Sequence, residues 1–78
     1  MTIVKKMVRS IAEVKVNEFN DMKKFLSRIS GLYSYVDNYI IAYCLLKECG
    51  YNVTKIISVK IDTEKDKVFI EFESKVND

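Results

Sequence analysis

Apolar positions along the chain change period three times, and each change predicts an element. Ile3, Val4, Met7, Val8 and Ile11 recur at the spacing of one helical face, whereas Ala12, Val14 and Val16 alternate with Glu13 and Lys15 as in a strand. The pattern therefore predicts a short helix over residues 3–11 and a short strand over 12–16. Asn17 offers a side-chain cap to the next helix, with Glu18 and Asp21 in its first turn. Phe19, Met22, Leu26 and Ile29 form that helix's apolar stripe, with Phe25 at its edge, and Lys23, Lys24, Ser27 and Arg28 its wet face. "SGLYS" breaks the period: Gly31 suits a turn, and Ser34 can cap a further helix with Asp37 three residues on. That helix runs to about Cys49, where Gly50 supplies a left-handed stop.

Beyond Gly50 the period falls to two. Ile57, Val59 and Ile61 alternate with Ser58 and Lys60, and Val68, Ile70 and Phe72 with Phe69, Glu71 and Glu73. With Thr63–Asp66 as the loop, Asp62 opposes Lys67, Ile61 opposes Val68, Val59 opposes Ile70 and Ile57 opposes Phe72. All three apolar pairs share one face. The expected architecture is α+β, a single domain over residues 1–78 in the order α-β-α-α-β-β, with the C-terminal β-hairpin packed on a helical hairpin.

The run "NYIIAYCLLKECGY" carries more apolar surface than such a domain can absorb. On a wheel of about 100° per residue, Tyr39, Ile41, Ala42, Tyr43, Leu45, Leu46 and Cys49 span about 200°, and Ile40 and Cys44 lie outside even that arc. A packed helix needs a stripe of about 100°. In a chain of 78 residues, close to the size at which one core is marginal, this surplus is expected to pack against a second copy of the chain, as a homodimer, or under the N-terminal helix. Tyr39, Ile40, Tyr43 and Leu46 are the expected interface.

Composition excludes more chemistry than it suggests. A net charge of +2 does not by itself call for nucleic acid or membrane. No apolar run reaches the roughly 18 residues of a membrane span, and the N-terminus lacks signal-peptide character, so a cytoplasmic protein without membrane contact is expected. There is no His, the usual general base at neutral pH, and Gly31 and Gly50 cannot make a glycine-rich phosphate loop. Cys44 and Cys49 lack zinc-site spacing and are expected to be buried, reduced thiols. Asp62, Glu64, Asp66 and Glu73 fall at calcium-loop positions, but Lys67 stands where the sharp turn needs Gly. Asp62 with "ESK" has the order of a metal-nuclease triad, yet a hairpin sets Asp62 and Glu73 roughly 20 Å apart. No enzyme, metal or cofactor is expected.

Taken together, "FLSRISGLYS", "LLKECGY" and the hairpin "KIISVKIDTEKDKVFIEFES" resemble a winged helix-turn-helix domain over nearly the whole chain. "AEVKV" followed by two helices is more weakly similar to a ribbon-helix-helix domain. The first resemblance implies a dimeric, transcriptional regulator-like protein that binds double-stranded DNA. Its third helix would enter the major groove through Ser34, Tyr35 and Asn38, its wing would touch DNA through Lys65 and Lys67, and Lys23, Lys24 and Arg28 would hold phosphates. This third helix departs from the pattern in carrying Asp37, Glu48 and only Lys47 as charges. The alternative expectation is a small homodimeric module that binds or inhibits another protein without touching DNA.

Overall fold

The computed structural model describes residues 5–29 and 37–77. They form a strand β1 (Lys5–Lys15), a helix α1 (Val16–Ile29), a second helix α2 (Asn38–Glu48) and two further strands, β2 (Val53–Asp62) and β3 (Lys67–Asn77). The sheet is antiparallel in the order β1-β3-β2. Both helices cover one of its faces, α1 over β1 and β3, α2 over β2.

The α+β class and the C-terminal hairpin match expectation; the order of elements does not. The first described element is a strand of eleven residues over Lys5–Lys15, in place of a helix over 3–11 and a strand over 12–16. It pairs in unbroken register with β3, from Lys5 opposite Asn77 to Lys15 opposite Lys67. Val8, Ser10, Ala12 and Val14 oppose Ser74, Phe72, Ile70 and Val68 on the covered face. Met7 and Ile11 lie on the open face and are exposed. Apolar side chains on both faces of β1 erase the period-two signal, so Met7, Val8 and Ile11 fall at helical spacing by coincidence. Residues 3 and 4 lie outside the described part.

The hairpin turn falls where alternation places it. Asp62 opposes Lys67, Ile61 opposes Val68 and Val59 opposes Ile70. Asp62 Oδ1 accepts from the Lys65 amide at 3.2 Å, the Asp66 amide donates to Thr63 O at 3.3 Å, and Asp66 closes the turn at φ 55°. Further along, Ile56 rather than Ile57 opposes Phe72, because β2 carries a bulge between Ile56 and Ser58. A second irregularity between Val53 and Lys55 brings Val53, not Thr54, opposite Ser74.

Alternation on β3 gives the core its floor: Val68, Ile70 and Phe72 are buried beneath Phe19 and Met22 of α1 and Ile41, Ala42 and Leu46 of α2. Tyr51 meets the Phe72 ring edge-on at 5.1 Å between centroids, closing the core beside Val53. Burying a side chain such as Phe19 or Leu46 contributes about 1.5–3 kcal/mol, which a domain this small cannot spare. Asp37 caps α2, its Oδ1 accepting from the Tyr39 amide at 2.7 Å. Ser34, the expected cap, lies outside the described residues. At the other end Gly50 takes φ 94°, the left-handed stop predicted for it.

Candidate functional site

α1 starts at the residue after β1 ends, without a linker, so the sheet fixes its direction. Phe19, Met22 and Leu26 face the sheet, which sends Asn20, Lys23, Lys24, Ser27 and Arg28 outward, all exposed. These five span about 140° of the helix wheel, an arc that contains no carboxylate. They line an open pocket of about 510 Å³. Lys23, Lys24 and Arg28 make no ion pair among the described residues, whereas Arg9 is paired to Glu71 and Glu73 and Lys67 to Glu13. The Ser27 hydroxyl donates to Lys23 O at 2.8 Å and so belongs to the helix surface. Sequence reasoning passes over Asn20; its spacing of three, four and eight residues from Lys23, Lys24 and Arg28 is the signal that places it with them.

Charge on the helical layer is segregated. On the opposite flank of α1, a groove of about 390 Å³ against α2 is lined by Met22, Phe25 and Leu45 together with Glu18, Asp21 and Glu48. α1 therefore offers cations on one side and carboxylates on the other.

The other expected contact residues are dispersed. Lys65 is exposed in the hairpin turn, and Lys67 is held by Glu13 at 3.1 Å, which neutralises it. Lys67 opposes Lys15, so the turn lies at the end of the sheet where α1 begins. Lys23 and Arg28 follow Val16 by roughly 10 and 18 Å along the helix at 1.5 Å per residue. Asn38 is exposed at the start of α2. Tyr35 lies outside the described residues.

The outer face of α2 is apolar. Tyr39, Ile40 and Tyr43 are 47%, 51% and 41% exposed, and Lys47 stands over the Tyr43 ring at 5.9 Å. Leu46, expected beside them, is instead 1% exposed and spent in the core. A helix with apolar side chains on both its inner and outer faces is ordinarily covered on both.

Reactive groups do not converge among the described residues. No cluster of three or more His, Cys, Asp or Glu could hold a metal there. Glu73 opposes Lys55, seven residues from Asp62 along β2 and hence roughly 23 Å away. Cys44 is partly buried, but Cys49 is exposed at the helix terminus rather than buried as expected; both are free thiols. No helix of the described residues is long and apolar enough to cross a membrane. Comparison with family models, with curated proteins and with solved structures finds no match.

Proposed function

We propose that the protein is a small dimeric nucleic-acid-binding protein, regulator-like in scale, that meets duplex DNA through the cationic face of α1. The observation that carries this reading is the group of Lys23, Lys24 and Arg28, three cations without an ion pair among the described residues, on one helix face with Asn20 and Ser27 between them. Lys and Arg facing phosphates supply the dominant, sequence-independent part of DNA affinity, and a neutral donor such as Asn20 adds phosphate hydrogen bonds. On this reading the contact lies on α1 rather than on α2, whose outer face carries tyrosines and isoleucine and a single lysine. The resemblance to a winged helix supports DNA as the ligand and gives Lys23, Lys24 and Arg28 phosphate contacts, but it assigns the groove contacts to the following helix.

An electrophoretic shift with a duplex of random sequence at low salt tests the reading. Retardation by the wild-type protein, lost on combining Lys23→Gln, Lys24→Gln and Arg28→Gln, is the expected outcome. These side chains are exposed, so the triple variant stays folded. No retardation by wild type, or equal retardation by the variant, contradicts it.

A second reading, a module that docks another protein, is favoured by one different observation: the exposed row Tyr39, Ile40 and Tyr43 on α2. Under that reading Tyr43→Glu leaves the chain folded and abolishes recovery of a specific host partner, while the α1 triple variant recovers it unchanged. Loss of the partner with the α1 variant instead would reject it.

A further inference from the structure

The two edges of the sheet are treated differently. β2 is interrupted by two irregularities, and the Tyr39 hydroxyl donates to Ile57 O at 3.5 Å, devices that blunt an edge. β1 has neither. It is eleven residues long, continuous in register with β3 on one side and, among the described residues, unpaired on the other. Its open face exposes Met7 and Ile11, and its covered face leaves Val8 39% exposed. A long, regular, partly apolar edge is a template for another strand.

Which strand fits can be read from the side chains. In an antiparallel pair, residues opposite one another point to the same face of the sheet. A second β1 must therefore pair odd residues with odd and even with even, about a two-fold axis through one residue. Centred on Arg9, the pairing sets two arginines together; centred on Ala12, it sets Arg9 against the partner's Lys15. Centred on Ser10, it sets Arg9 against the partner's Ile11. Centred on Ile11, it sets Arg9 against the partner's Glu13 twice and Ile11 against the partner's Ile11. On the covered face the same register opposes Val8 to the partner's Val14 and Ser10 to the partner's Ala12.

Charge complementarity extends past the edge. Within one chain Lys67 Nζ lies 3.1 Å from Glu13, and Arg9 lies 3.4 Å from Glu73 and 3.9 Å from Glu71. The Ile11-centred register joins these pairs into one ladder of alternating sign: Lys67, Glu13, the partner's Arg9, the partner's Glu73. We propose that β1 pairs with β1 of a second copy in this register, forming a six-stranded antiparallel sheet. The two-fold axis stands perpendicular to that sheet, so all four helices lie on one face and the two α1 helices, each packed over β1 and β3, flank the axis. The pairing goes beyond the DNA reading and stands without it.

Single cysteines in a background lacking the native thiols (Cys44→Ala, Cys49→Ser) test it under mild oxidation, without DNA. Opposed residues in an antiparallel pair have Cα atoms roughly 4.5–5.5 Å apart, within reach of a disulfide. Ile11→Cys is expected to give a covalent dimer. Arg9→Cys and Glu13→Cys each place their own copies about four residues apart along the strands, roughly 13 Å, beyond that reach. Each alone should stay uncrosslinked, and their equimolar mixture should crosslink. All three positions are exposed, and circular dichroism checks that the variants keep the fold. A monomeric mass for the wild-type protein by light scattering overturns the pairing. So does failure of Ile11→Cys to crosslink, or self-crosslinking by Arg9→Cys comparable to that of the mixture.

Discussion

Single side chains divide sharply between those that hold the domain and those that stay at its surface. Phe72 is buried under both helices and against Tyr51, so Phe72→Ala should cost about 3–5 kcal/mol, much of the stability available to a domain of this size. Ile29, 64% exposed although it lies at the period of the α1 stripe, should tolerate Ala within about 0.5 kcal/mol. Urea unfolding of the two variants measures both; similar midpoints would mean the core is elsewhere. Two backbone positions predict opposite signs. Gly50 sits at φ 94° with open space where a Cβ would stand, so Gly50→Ala should destabilise by about 1 kcal/mol through backbone strain alone. Asp66 sits at φ 55°, so Asp66→Gly should raise the urea midpoint slightly by relieving it. Both positions are legible in the sequence as a helix stop and a hairpin loop, because turn chemistry is local. The exposure of Ile29 is not, since the last turn of a helix can outrun the sheet it packs on.

At the scale of elements, legibility follows the number of apolar faces. β3 has one buried face and an open face punctuated by Lys67, Glu71, Glu73 and Lys75, and its alternation is readable. β1 carries Val8, Ala12 and Val14 on one face and Met7 and Ile11 on the other, and its first half reads as a helix. The bulge at Ile56–Ser58 is invisible in sequence because Ile56, Ile57 and Val59 are all apolar, so that sliding by one residue leaves the pattern intact. A pair of lysine substitutions separates strand from helix for residues 5–11. Ser10 points to the covered face opposite buried Phe72, and Ser10→Lys should cost about 1–3 kcal/mol; Met7 is on the open face, and Met7→Lys should cost less. A helix with Met7 on its apolar side and Ser10 on its wet side predicts the reverse order in thermal melts.

Over the whole molecule, the helical layer separates a cationic flank, an acid-lined groove and an apolar outer face, while the open side of the sheet pairs its own charges. Of the candidate contact residues, Lys23, Lys24 and Arg28 are legible as a group, because a wet helix face follows from the period of the dry one. The separation of the hairpin turn from that group, and the loss of Lys67 to Glu13, depend on pairings more than fifty residues apart in sequence. On the proposed reading, Lys23, Lys24 and Arg28 of α1, without an ion pair among the described residues, bind phosphate. The most direct measurement is the salt dependence of duplex binding by fluorescence anisotropy, for the wild-type protein and for the combined Lys23→Gln, Lys24→Gln and Arg28→Gln variant. Three phosphates neutralised per protomer predict a slope of log affinity on log salt of about −3, a fall of about 40-fold between 50 and 200 mM salt, and about twice that slope if both protomers of a dimer engage one duplex. The variant should lose most of the slope together with the affinity. A wild-type affinity independent of salt, or a slope that the variant retains, would contradict the account.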